Sequence, residues 1–146
     1  MSAAALLYIL IKMRGLTYFL KNKLYVALTN KCVSISPLQL RGPSFVLPPS
    51  ANFHLLEQEP TSEDVFKAVD DAFEQGLIGV SSMDSDEITF AGAGEPLLRL
   101  ETLMEAASLI LEQRHGAQLR LKTSGLVLSK DSAKVQYPTV HLQMLR

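Results

Sequence analysis

Three stretches hold the residues best suited to chemistry: Cys32, the run from Ile88 to Leu98, and the trio Thr123, Ser124 and Gly125. The middle run changes character abruptly, from β-branched and aromatic residues to Gly92, Gly94, Glu95 and Pro96. Glycine removes the Cβ where another group must approach the backbone, and proline withholds an N–H, so a strand cannot run on through this point. Helical spacing resumes after Pro96, giving a unit of strand, glycine turn and helix. The glycines and Glu95 then stand at the carboxyl end of a strand, where parallel α/β folds place small-molecule sites. The single cysteine excludes an intramolecular disulfide and any all-cysteine metal site. Taken alone, a cysteine is more often an inert small hydrophobe than a nucleophile. His54, His115 and His141 are too scattered for metal-ligand spacing, and His115 suits a helix end, where the dipole favours it. Ser36 and Ser44 beside Arg41 and Gly42 read as solvated loop, because no helix N-terminus follows them.

The elements that must position these residues follow from periodicity. Leu24 to Thr29 reads as a first strand, ended by Asn30, Lys31 and Cys32. From Val33 to Pro60 six prolines and glycines interrupt every short run, which predicts a long loop. Thr61 is the expected N-cap of a helix, with Asp64 completing a variant capping box, Val65, Ala68, Val69, Ala72 and Phe73 on one face, and Gly76 as the stop. Glu87 to Ala91 is a second strand, and Leu100, Leu103, Met104, Ala107, Ile110 and Leu111 mark an amphipathic helix ending before Gly116. Gln118 to Thr123 is a third strand, and Ser129 caps the start of another helix that Pro138 must break.

At 146 residues the chain is one domain by length, with enough apolar sequence for a core. Its net charge of −1 argues against generic nucleic-acid binding, yet the first 56 residues carry +6 and the rest −7. An acid-free basic start can be a targeting segment, although a strand beginning by Leu24 leaves little room for one, which favours the cytoplasm over an organelle. The apolar run from Ala3 to Ile11 is too short for a membrane span, which needs about 20 residues. With Met13, Leu16, Phe19 and Leu20 it reads as a capping helix interrupted at Arg14 and Gly15.

The alternation of strands and helices predicts an α/β fold with parallel strands. Three such strands leave an edge bare, which implies part of a larger barrel or sheet. The divisions expected are an apolar and basic segment over 1–22, a core over 23–134 and an atypical tail over 135–146.

Four motifs occur in order: Leu28 to Cys32, Glu59 to Thr61, Phe90 to Leu98, and Leu121 to Gly125. Together they resemble radical SAM proteins, most nearly the small TatD-associated radical SAM proteins, over about Lys23 to Lys134. The resemblance implies a (β/α) partial barrel of about three β/α units. In that family a C-x3-C-x2-C loop holds three irons of a [4Fe–4S] cluster, and the fourth iron binds the amino and carboxylate groups of S-adenosylmethionine. Cys32 matches the first cysteine, whereas Ser36 and Gln39 stand at the other two positions and supply no thiolate. Gly94, Glu95 and Pro96 match the family's Gly-Glu-Pro signature, which engages the methionyl amino group, with Gly92 giving close approach. Thr123 and Ser124 match a Thr-Asn-Gly motif, with serine in place of asparagine. The resemblance thus implies Gly92, Gly94, Glu95, Pro96, Thr123 and Ser124 as an S-adenosylmethionine cradle beside a cluster position reduced to Cys32, with no radical catalysis.

Two alternatives of another class are a non-catalytic interaction protein, using the glycine and acid pocket or the exposed edge of the third strand to engage a ligand, a partner or a second copy, and an unstable truncated form. A dinucleotide-binding or class I methyltransferase turn fits less well, because its third glycine is missing and Glu95 and Pro96 stand where its helix would begin. No substrate is indicated.

Overall fold

The computed structural model describes residues 2–5, 13–21, 23–33, 41–79, 87–124 and 141–144, the last of these by backbone alone. The fold is α/β. Strands β1 (Thr17–Leu20), β2 (Lys23–Val26), β3 (Glu87–Phe90), β4 (Gln118–Thr123) and β5 (His141–Met144) form one sheet in chain order. Helix α1 (Ser62–Glu74) connects β2 to β3, and α2 (Leu100–Gln113) connects β3 to β4. The pairs β2–β3, β3–β4 and β4–β5 are parallel, whereas β1 pairs with β2 antiparallel.

The α/β class and the parallel pairing of β2, β3 and β4 are therefore as expected. The sheet is mixed rather than parallel throughout, and the described strands do not show a barrel. Residues 3–5 are helical, whereas Thr17–Leu20, beyond the interruption expected at Arg14 and Gly15, is extended and forms a strand where the sequence sets none apart. Gly15, at φ +81°, turns the chain before β1, and a Cβ there would lie 2.5 Å from the Leu55 carbonyl oxygen. Lys21, at φ 49°, begins the turn that puts Leu20 opposite Lys23. The hairpin is held by a cross-strand stack of Tyr18 on Tyr25, 5.1 Å between ring centres, with Phe53 meeting Tyr18 edge-on at 5.0 Å. Aromatic pairs of this kind add about 0.5–1.5 kcal/mol beyond their buried area. A short apolar run fits helix or strand about equally, and here long-range partners decide.

The edge of β4 is not bare either. Arg120 to Thr123 pair with His141 to Met144, so the tail expected to be atypical extends the sheet and covers the edge proposed for self-association. The helix expected after Ser129 lies outside the described residues. The loop after β2 is as expected, with a single 3-10 turn, Pro49–Ala51, among its described residues.

Both helices bury one face against the sheet. Val65 and Val69 of α1 and Leu103 and Ile110 of α2 join Leu24, Val26, Ile88, Phe90, Leu119 and Leu121 in one core. Helix α1 starts as its sequence predicts: Asp64 N–H donates to Thr61 Oγ1 and Thr61 N–H donates to Asp64 Oδ2, both closing the capping box. Gly76 ends it at φ +68°, in the left-handed region. Beyond α2, the Arg114 guanidinium bonds Asp70 and Glu74 of α1 at 2.6 Å and lies over the Phe73 ring, tying the two helices together. Thr61→Ala removes one side of the capping box and is expected to lower the stability by about 1 kcal/mol. Urea unfolding measures this as a lower midpoint with an unchanged slope.

Candidate functional site

The carboxyl ends of β2, β3 and β4 lie side by side, and the predicted residues of β3 and β4 meet there. Beyond β3 the chain turns so that Glu95 N–H donates to the Lys31 carbonyl at 2.8 Å, fastening the glycine turn to the end of β2. Pro96 is buried and opens a short 3-10 turn, Pro96–Arg99, which leads into α2. Glu95 is its N-cap, with Oε1 accepting from Leu97 N–H at 3.1 Å. The same oxygen accepts from Thr123 Oγ1–H at 2.6 Å, and Oε2 accepts from Ser124 N–H at 2.8 Å and Ser124 Oγ–H at 2.7 Å.

A carboxylate offers roughly four acceptor positions, so the chain's own donors fill this one. Glu95 is 3% exposed. Burial opposes its charge, but the bonds from Thr123, Ser124 and Leu97 outweigh it and hold the carboxyl below its ordinary value. Glu95, Thr123 and Ser124 thus form one closed unit joining β3 to β4.

The two glycines serve the chain's own packing. A Cβ on Gly94 would collide with the carbonyl oxygen of Thr29, with that of Lys31 at 2.5 Å, and with the carbonyl carbon of Asn30 at 2.8 Å. A Cβ on Gly92 would lie 2.9 Å from the Cβ of Ala27. In both cases the close approach is that of the segment following β2. Cys32 is half-buried and follows Lys31 directly, which sets it beside the same turn. Ser36, Gln39 and Gly125 lie outside the described residues.

A second polar cluster, centred on Glu59 and Arg99, flanks this unit. Thr29 Oγ1–H donates to Glu59 Oε1 at 2.6 Å, and Arg99 Nη1 donates to Glu59 Oε2 at 3.1 Å. Arg99 also donates to the carbonyls of Leu28 and Pro60 and to Thr102 Oγ1. The Thr29 bond, together with the charges of Arg99 and Lys31, holds the Glu59 carboxyl below its ordinary value. Asn30 pairs with the backbone of Leu56 in both directions, Nδ2–H to the carbonyl at 2.8 Å and Oδ1 from the N–H at 3.0 Å. In this way the loop after β2 is pinned to the strand end. Sequence reasoning marked Glu59 only as part of a helix start and missed Arg99, whose signal is faint: one cation just ahead of an amphipathic helix.

The donor set does not fit a [4Fe–4S] cluster. The whole chain contains one cysteine, and among the described residues no three His, Cys, Asp or Glu side chains are grouped to hold a metal ion. His54 bonds Asn52 at 3.2 Å at the surface, and His115 is exposed just beyond α2. No helix among the described residues is long and apolar enough to cross a membrane. No protein-family model matches this sequence, and no curated protein does.

Proposed function

We propose that this chain is a radical SAM-like domain without radical chemistry, whose cofactor cradle is closed by its own side chains. The observation that supports this reading most is the saturation of Glu95. Its four acceptor positions are used by Leu97, Thr123 and Ser124, and none is left for a ligand amino group. With one cysteine in the sequence, the thiolates that would hold a cluster are missing as well. The strand-end residues then act as a clamp that keeps β2, β3 and β4 in register. Anaerobic reconstitution with iron and sulfide tests the loss of chemistry. The expected outcome is no [4Fe–4S] absorbance and no 5′-deoxyadenosine after reduction, and either signal would overturn the proposal.

A second reading, a cradle still open to S-adenosylmethionine, is favoured by one feature. Ser124 is only half-buried, so rotation of its hydroxyl would release Glu95 Oε2 towards a ligand ammonium group. Calorimetric titration with S-adenosylmethionine separates the two. A closed cradle gives no heat, whereas heat that disappears in Glu95→Gln establishes the open one.

A further inference from the structure

The sheet face turned away from the helices carries a second constellation, independent of the strand ends. Strand alternation puts Lys23, Tyr25, Glu87, Thr89, Arg120 and Lys122 on this face, because Leu24, Ile88, Phe90, Leu119 and Leu121 fill the other. The contacts agree: Glu87 Oε1 meets Lys23 Nζ at 3.2 Å, Glu87 Oε2 meets Arg120 Nη2 at 2.8 Å, and Lys122 Nζ lies 5.0 Å over the Tyr25 ring.

At the centre is Thr89, flanked in register by Tyr25 and Arg120. It is fully buried, and its Oγ1 is the only buried side-chain polar atom among the described residues without a hydrogen-bond partner. Valine would fill the same volume and suits a strand equally well, so the orphan hydroxyl is a burden to the fold alone. Around it stand three cations and one acid. Glu87 is shared by Lys23 and Arg120, and the contacts of Lys122 are with Tyr25. Burial, followed by the neighbouring Tyr25, pushes the Tyr18 hydroxyl well above its ordinary value, so that residue adds no negative charge. The described strand residues therefore leave this face with an excess of two positive charges around a buried, unused donor.

We propose that this face binds a small doubly charged oxyanion of the phosphate class, with the Thr89 hydroxyl as the buried donor and Arg120 and Lys122 closing over it. A dianion matches the charge excess, which a single carboxylate would leave half-compensated. Donors arriving from a guanidinium and an ammonium of β4 and from a hydroxyl of β3 suit a tetrahedral group better than a planar one. Arg120 and Lys122 keep partial exposure and long flexible stems, so they can draw the anion in from solvent.

Titration calorimetry at fixed ionic strength, with inorganic phosphate, methyl phosphate and acetate as probes, tests this. Phosphate or methyl phosphate is expected to give saturable heat, and the tighter of the two identifies a free ion or a monoester as the ligand. No phosphate heat, or equal heat from acetate, overturns the proposal. Thr89→Val is expected to fold with an undiminished melting temperature and to bind the anion about ten-fold or more weakly, as loss of a hydrogen bond to a charged group implies. Lys122→Gln, a partly exposed change, provides an independent variant and is expected to weaken binding as well. Unchanged phosphate affinity in either folded variant overturns the assignment.

Discussion

Gly94→Ala is expected to lower the unfolding free energy by about 3 kcal/mol or more, a large loss for one added methyl group. Gly94 is not among the residues with positive φ, so conformation alone does not forbid alanine. Space does. The new Cβ would fall among the backbone atoms of Thr29, Asn30 and Lys31, which cannot rotate away as a side-chain tip would. Relief requires the turn to retreat from the end of β2, and that retreat breaks the bond from Glu95 N–H to the Lys31 carbonyl. It also disturbs the carboxylate one residue on. Gly92→Ala meets only the Cβ of Ala27, so a smaller loss is expected there. Urea unfolding of the two variants gives the comparison, and a Gly94→Ala midpoint equal to that of the parent would refute the packing account.

Glu95→Ala carries the other large effect, an expected loss of about 3–5 kcal/mol. Removing the carboxylate leaves Thr123 Oγ1, Ser124 N–H and Leu97 N–H without their acceptor in a site with little access to water. Glu95→Gln keeps the shape but turns one oxygen into a donor. Each carboxylate oxygen accepts two hydrogen bonds, so an NH2 group must face donors whichever way the amide lies. The expected loss is smaller than for alanine, about 2 kcal/mol.

The two variants also differ from the parent in acid. Hydrogen bonds hold the folded Glu95 carboxyl below its ordinary value of 4.5. Its contribution to stability is therefore complete above that value and is lost as the pH falls through the lower, folded-state titration. Stability measured across this acid window should fall less steeply in Glu95→Gln than in the parent. Parallel curves would show that Glu95 does not supply the acid sensitivity.

Much of the architecture was legible in local patterns. The capping box of Thr61 and Asp64 needs residues only three apart, and the stop at Gly76 needs only a glycine after the last apolar position. The strand Gln118–Thr123 alternates exposed and buried positions and was delimited correctly, as were β3 and the amphipathic stripe of α2 to within a residue or two. The sequence also brought Glu95, Thr123 and Ser124 forward as members of one site, and the fold joins them. What each residue does there was not legible. Glycine before an acid at a strand end signals a close approach, but not whether a ligand or the chain itself approaches. Thr17–Leu20 could be helix or strand until Tyr25 and Phe53 were placed against Tyr18. The edge of β4 looked bare because its partner begins at His141, past a proline.

The sequence by itself determined the helices, the three central strands, the glycine turn and the lack of thiolates for an iron–sulfur cluster. These depend on periodicity, capping and residue type, all of them local or compositional. Only the tertiary structure decided that the sheet is mixed, that the backbone of Thr29, Asn30 and Lys31 fills the space beside Gly94, and that Glu95 spends its lone pairs on Leu97, Thr123 and Ser124. Apart from the local bond from Leu97, those contacts join residues dozens of positions apart. The free energy that selects them arises only once the strands are paired and water has left the space between them.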